Sequence, residues 1–548
     1  METRETFTEE EAEILKPFVS NLDRPIFVLR NLPEVVKGAL FSRYSRSSKG
    51  LRRLLLDEFI MNKEMAFMDI VKQGMDSGIS QSLAIQKAQD FYDRILDGYG
   101  DDSIGELGGA HLACENVSNM ASKALEDGRI GGSPLEKSTR YLFFDKKVDG
   151  EYMFYKEPVI MASRFADLYL ETNRMLFDLY CRLIEPMKKF FIDRVPRDPA
   201  IPDQAYNFSI RARACDALRG LLPASTLTNV GIYGNGRFFE GMIIKLRSNE
   251  LAEMRELADS MQRELDTVVP SFVRRASPDH RHFAPFKAYY EDSRHALQHL
   301  TNAVCNIPIR KAEEPVELVD YDKDAEAKVV AALLYPHSQH SMLQLRLMAK
   351  AMSPEQRRQI VHEAIHRRTN RRHKPPRAFE NAYYTFDILA DFGCYRDLQR
   401  HRMLTQERQD LTVVHGYDLP PEIVEAGFER EYREAMEQAA EAYRHIYKLH
   451  PREAQYVVPF AYKIRWYNTI NLRGVYWLAE LRSSQQGHPN YRRIAQLMYQ
   501  KVNEVHPSLA EHMRYVDMND YALGRLQAEM KNAEKRTQSI LVKRLEDA

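Results

Sequence analysis

Apolar residues recur along this chain more often at helical than at strand spacing. Leu251, Met254, Leu257, Met261 and Leu265 mark one face of a helix that stops at Pro270, and Ile494, Leu497, Met498, Val502 and Val505 mark another that stops at Pro507. Ser353-Pro354-Glu355 opens a helix over residues 356–368, with serine as cap and proline in the first turn. A further helical pattern through residues 121–125 ends at Gly128. Strand signals are fewer: the aromatic runs at 141–144, 152–155 and 383–386. Many helices beside few strands predict an α+β fold, with helices packed on a small antiparallel sheet.

The pattern also repeats. Leu222-Pro223, Asn235-Gly236-Arg237 and Leu246-Arg247 match Val458-Pro459, Asn471-Leu472-Arg473 and Leu481-Arg482. The proline, asparagine and first arginine keep one common offset, and the second arginine falls short by one residue. Each set is followed by one of the two proline-terminated helices, so the chain reads as two tandem copies of one domain, 1–310 and 320–548. Residues 305–324, with Pro308, Pro315 and dense charge, read as the linker.

Composition bounds the partners. The 548 residues, 44% hydrophobic and 28% charged, suffice for two large cores. Lys plus Arg and Asp plus Glu balance at 78 each, so no overall field draws the protein to nucleic acid or an anionic membrane. Five dispersed cysteines without a C-x-x-C pair read as reduced thiols. Met1-Glu2-Thr3-Arg4-Glu5 has no apolar signal core, and no run of about 18 apolar residues occurs. A cytoplasmic protein is expected, with neither nucleic acid nor membrane as partner.

Chemistry is concentrated in two loops and the repeated triplet. After Gly128, the stretch to Tyr141 offers glycines, serines and Arg140, which suit a phosphate or a carbonyl-bearing ring, or form an ordinary surface loop. In the second half Arg400-His401-Arg402 precedes Glu407 and Asp410, forming either an anion site or a solvated charge network. The paired Asn235/Arg237 and Asn471/Arg473 combine an amide, which can read a ring edge, with a guanidinium fork for phosphate. His362-Glu363-Ala364-Ile365-His366 matches the zinc-peptidase pattern, but Arg358 one turn away opposes a metal, and none is expected. Arg367, Arg368, Arg371, Arg372, His373 and Lys374 read as a solvated face able to guide an anionic substrate. Neither a dinucleotide-binding glycine motif nor a P-loop is present.

Together, Arg400-His401-Arg402, Ser138-x-Arg140-Tyr141 and the Asn-x-Arg and Leu-Arg elements resemble the flavin-dependent thymidylate synthases. In that family one loop carries both the R-H-R that contacts FAD and the later serine and arginine that contact dUMP. Here the halves are divided. The first copy keeps Glu136, Ser138, Thr139 and Arg140, the nucleotide side. The second keeps the flavin side but has Asp410 and Thr412 where serine and arginine should be. Arg219 matches the family's phosphate-binding arginine before Pro223, while Gln455 stands before Pro459. Ser103, in Gly100 to Glu106, matches a flavin-segment serine.

The resemblance implies a substrate, dUMP, and a reaction that passes a methylene from methylenetetrahydrofolate to the uracil, with FAD recharged by NADPH. It assigns Arg219, Glu136, Ser138, Thr139 and Arg140 to substrate. Arg400, His401, Arg402, Asn471, Arg473, Asn235, Arg237 and Ser103 fall to cofactor. Arg247 and Arg482 match the catalytic arginine, and Arg247 is favoured because Arg219 and the nucleotide-type loop should converge on it. A homodimer forming a pseudo-tetramer is also implied. The alternatives are a non-catalytic flavin- or nucleotide-binding paralogue and a flavin-dependent enzyme acting on another pyrimidine.

Overall fold

A computed structural model of the chain describes residues 6–45, 47–61, 105–128 and 130–546. In chain order its strands are β1 (Gly109–Ser118), β2 (Gly132–Glu136), β3 (Lys147–Val148), β4 (Glu151–Tyr152), β5 (Leu227–Asn235), β6 (Val316–Tyr321), β7 (Tyr383–Asp391), β8 (Leu404–Arg408) and β9 (Lys463–Asn471). They make a three-stranded sheet of order β1-β5-β2, the hairpin β3-β4, and a four-stranded antiparallel sheet of order β6-β7-β9-β8. Helices account for most of the remaining elements, so the fold is α+β.

The chain divides into two units. The first holds the stretch ending at Val117, Ala124–Glu136 and Thr228–Ile307; the second holds Ser118–Lys123, Lys137–Leu227 and Pro308 onward. In the first, β5 turns directly into helix Gly236–Arg247, which packs on helix Ala252–Asp266. In the second, β9 turns into helix Leu472–Arg482, which packs on helix Pro489–Val505. At both turns an asparagine caps the new helix, Asn235 Oδ1 accepting from Phe238 N at 2.9 Å and Asn471 Oδ1 from Gly474 N at 2.8 Å. Both proline-terminated helices predicted from apolar spacing are present, and Pro270 and Pro507 each begin the next short helix.

The core of the four-stranded sheet follows from alternation. Tyr384, Phe386, Ile388 and Ala390 of β7 point inward with Ile464, Trp466 and Ile470 of β9, the intervening residues facing out. Ile388 lies opposite Trp466 in the register, and the Trp466 indole meets Tyr395 edge-on, ring centroids 5.2 Å apart. Helix Pro489–Val505 packs against β6 and β7.

Several expectations need correction. The run 141–144 is not a strand: Tyr141 packs on Phe208 and takes a hydrogen bond from Arg525, and Phe143 lies beneath Arg211, so these aromatics serve side-chain packing rather than a ladder. Of 152–155 only Tyr152 lies in a strand, with Phe154 in an isolated bridge to Thr226. The linker 305–324 contains β6, whose Val316 is fully buried on the sheet edge; its charges lie on the exposed side. Part of the loop after Gly128 is β2, paired with β5, so those amides are engaged. The helix expected over 356–368 runs Pro354–Ile365, Ser353 capping it as predicted. All five cysteines are free, and among the described residues no helix is long and apolar enough to cross a membrane.

Trp466→Ala removes the largest side chain of the sheet core and should cost about 3–5 kcal/mol. The expected result is a lower midpoint of thermal denaturation, followed by circular dichroism, with a conservative Trp466→Phe losing much less.

Candidate functional site

The second unit builds its site from the end of β7. Asp391 closes that strand and caps helix Phe392–Leu398, its Oδ1 accepting from Cys394 N at 2.8 Å. This short helix is buried on most faces, so it delivers Asp397 and then Arg400-His401-Arg402 into fixed positions ahead of β8. Because β8 pairs with β9, and β9 runs into helix Leu472–Arg482, the structure brings Arg400, His401, Arg402, Asn471, Arg473 and Arg482 to one cavity of about 570 Å³. Arg368, Arg371, Lys374 and Trp477 line it too.

Arg482 Nε donates to His401 Nε2 at 3.0 Å, so the imidazole accepts there and carries its proton on Nδ1. Burial, reinforced by the charges of Arg482 and Arg400, pushes His401 well below the ordinary histidine range. Burial also lowers Arg482. Arg473 is half-buried, donating to the Pro375 carbonyl at 2.8 Å and to Glu380 at 2.7 Å. Arg368 forms a buried two-point pair with Glu480, at 3.0 and 2.6 Å. Trp477 is partly exposed, with the Arg371 guanidinium 5.2 Å and the Lys374 ammonium 5.9 Å from its ring centroid.

Ser138, Thr139 and Arg140, from the end of the nucleotide-type loop of the first half, belong to this same unit. Arg140 is buried, gripping Asp216 at 2.8 and 2.9 Å and donating to the Tyr491 hydroxyl at 3.1 Å and the Gln486 carbonyl at 3.2 Å. The Tyr491 ring lies near the Arg482 guanidinium as well, 5.6 Å from its centroid. Thr139 accepts from Arg396 at 3.3 Å, and Ser138 Oγ accepts from the Arg140 amide at 3.2 Å. Arg219 donates to Asp397 at 2.8 Å, and Asp397 lies 3.5 Å from Arg400. Ser138, Thr139, Arg140 and Arg219 are thus tied to Arg400 and Arg482 through Asp397, Arg396 and Tyr491.

A second cavity, about 410 Å³, is lined by Arg219, Asp216, Asp391, His488 and Asn490. Arg219 Nε and Nη2 are buried there without an acceptor. Burial would raise Asp216, but Arg140 prevails and holds it at about 2. Burial drives Asp391 the other way, up to about 6, against the opposing charge of Arg219. His488 is pushed down to about 3, by burial first and the Arg219 charge second, and is neutral at pH 7.

Asn235, Arg237, Arg247 and Glu136 lie in the first unit. Arg237 is exposed and pairs with Glu106 at 2.8 Å. Arg247 is buried and committed to Asp259 at 2.9 Å, to Gln262 and to the Ala276 carbonyl. Glu136 ends β2 opposite Val230. Ser103 lies outside the described residues. In the second copy's loop, Asp410 pairs with Arg452, and Gln455 accepts from the Leu411 amide at 2.9 Å. Sequence reasoning missed Asp216, Asp397, Tyr491 and Trp477, which belong to no motif; it did single out Arg368, Arg371 and Lys374, but as a solvated face.

The family model described as thymidylate synthase complementing protein matches residues 58–271 and 317–508. A UPF0159 protein of Chlamydia muridarum is 48% identical over 523 residues, 95% of this chain and 98% of that one. A UPF0159 protein of Thermoplasma acidophilum is 36% identical over 529 residues, 90% and 98% of the two chains. A solved UMP/dUMP methylase PolB from Streptomyces cacaoi aligns with 39% of this chain and 100% of its own at 19% identity and a TM-score of 0.31, a likeness too slight to bear on function. By the double match of its family model, the chain belongs to the thymidylate synthase complementing protein family.

Proposed function

We propose that this protein is a flavin-dependent thymidylate synthase, converting dUMP to dTMP with methylenetetrahydrofolate as carbon donor and NADPH as reductant. One observation carries the reading: the two half-motifs, Ser138-Thr139-Arg140 with Arg219 and Arg400-His401-Arg402 with Arg473, occur in one unit, joined through Asp397 and Arg396. Family membership supports it. Two tandem copies, 1–310 and 320–548, are supported by the recurring order of strand, helix, strand, then strand and asparagine-capped helix. After such a duplication each copy can lose the half of the loop that its partner keeps. Pairing of two chains would then give the pseudo-tetramer.

The larger cavity suits FAD in its chemistry. Arg400, Arg402 and Arg473 would hold a pyrophosphate in their guanidinium forks, and Trp477 offers an aromatic face to a ring. Bound flavin would supply the hydride. In the smaller cavity the two unpartnered donors of Arg219 suit the phosphate of dUMP. Arg482 is part-buried and hydrogen-bonded to neutral His401, and there would stabilise negative charge developing on the uracil. Tyr491, shared by Arg140 and Arg482, favours Arg482 over Arg247 for this role.

Two measurements test the proposal. The purified chain reconstituted with FAD should be yellow and change its visible spectrum on adding dUMP, while Arg400→Ala or Arg473→Ala should weaken flavin binding about 10- to 100-fold, the loss of one charge-assisted contact. Protein that stays colourless would sink the synthase reading. In a tritium-release assay on 5-tritiated dUMP, Arg482→Ala should lower kcat by about 10²–10³, the scale set by removing one transition-state donor. Arg247→Ala should instead lower the thermal midpoint and leave the kcat of the folded fraction near that of the parent; the opposite pattern would return the role to Arg247.

A further inference from the structure

The histidines of the HExxH pattern lie far from idle. His362, Glu363 and His366 occupy the last turn and cap of helix Pro354–Ile365, and their ligand-capable atoms all fall within 4.8 Å of one another. The His362 and His366 rings are stacked, centroids 4.5 Å apart and planes 4° from parallel. His366 Nδ1 sits 2.9 Å from the His362 carbonyl, so that nitrogen carries the proton and Nε2 keeps its lone pair, the arrangement that orients a metal-binding histidine.

A second element approaches the same place. His512, just beyond helix Pro507–Ala510, brings its ring to 5.3 Å from that of His362. It is only 7% exposed, and its Nε2 is buried without a hydrogen-bond partner. A buried polar atom in that state has lost its hydration and gained nothing in return, a deficit that a ligand would remove. The nearest acceptor, Glu511 Oε1 at 3.4 Å, is already held by Arg358.

We propose that His362, His366 and His512, with the carboxylate of Glu363, form a site for a divalent transition metal, zinc being the ion whose preferred donors they match. Tetrahedral zinc needs donor atoms about 3.4 Å apart, so His362 and Glu363, both exposed, would have to turn toward the ion. Two of the neighbouring arginines are paired, Arg358 with Glu511 and Arg367 with Glu363, while Arg514 donates to the His366 carbonyl at 2.7 Å. With its carboxylate committed to the metal, Glu363 is not free to activate water, so the metal acts as a tie between the helix and the segment at His512, not as a peptidase centre. The site shares no residue with either cavity and stands whether or not the chain is a synthase.

A tag-free full-length chain, stripped with chelator and dialysed against Zn²⁺, should retain about one equivalent and gain thermal stability, and Co²⁺ should give the visible bands of a four-coordinate site. His362→Gln and His366→Gln, both at accessible positions, should each weaken binding at least about tenfold with the circular dichroism unchanged, and His512→Gln should do the same. His340→Gln, on a separate exposed turn, should bind as the parent does. Failure to retain zinc, or undiminished binding by the double variant H362Q/H366Q, would overturn the proposal.

Discussion

Asp397 accepts from Arg219 at 2.8 Å and stands 3.5 Å from Arg400, in surroundings where neither charge is well hydrated. Taking an ion out of water costs several kcal/mol, and removing one partner of a buried pair costs about 3–5 kcal/mol because the other is left uncompensated. Exposed pairs such as Lys189 with Asp193 contribute at most about 1 kcal/mol. The buried set therefore dictates where the arginines stand. Asp216 does for Arg140 what Asp397 does for Arg219, and the cations keep Asp397 well below the usual carboxylate range despite its burial. Asp391, which has Asn490 and an amide for neighbours as well as the more distant Arg219, is lifted to about 6 instead. The same region thus contains a carboxylate held ionised and another near its titration point, separated by the number of guanidiniums each can reach.

Those carboxylates could not be read from the sequence. Asp216 and Arg140 are 76 residues apart and Arg219 and Asp397 are 178 apart, with nothing local to mark either aspartate. What was legible was local or periodic. The amphipathic helices Ala252–Asp266 and Pro489–Val505 declare themselves by apolar spacing, and Ser353-Pro354 declares a helix start. Aromatic content misled where the rings had other work: Tyr141 and Phe143 look like strand residues but pack against Phe208, Arg525 and Arg211. The repeated asparagines were read correctly as special and incompletely as to why. Asn235 and Asn471 each satisfy a helix-terminal amide, a requirement that would recur at this strand-to-helix turn with or without a ligand.

Recurrence alone is therefore a weak guide to function in this chain, and loss of recurrence is a better one. Where a residue recurs for one structural reason, as at the two caps, repetition reports the fold. Where the two stretches differ, each difference has a local consequence. Gln455 takes the place of an arginine and binds the Leu411 amide, and Asp410 takes the place of a serine and pairs with Arg452, so that end of the second loop is closed by its own contacts. Arg219, four residues before Pro223, has two buried donors unspent.

Gly393 shows how narrow the tolerance around those donors is. A Cβ added there would stand 3.1 Å from Arg219 Nε and 2.9 Å from Asp391 Oδ1, so even alanine would press on the arginine and on the cap of helix Phe392–Leu398 together. That helix carries Asp397 and leads into Arg400-His401-Arg402, and a shift at its start would move the groups at its end. The position of Arg400-His401-Arg402 is in this sense set by the space left for Arg219. Ser138-Thr139-Arg140 with Arg219, and Arg400-His401-Arg402, are coupled through a buried helix and buried charge, so a displacement of one group is resisted by its contacts with the other.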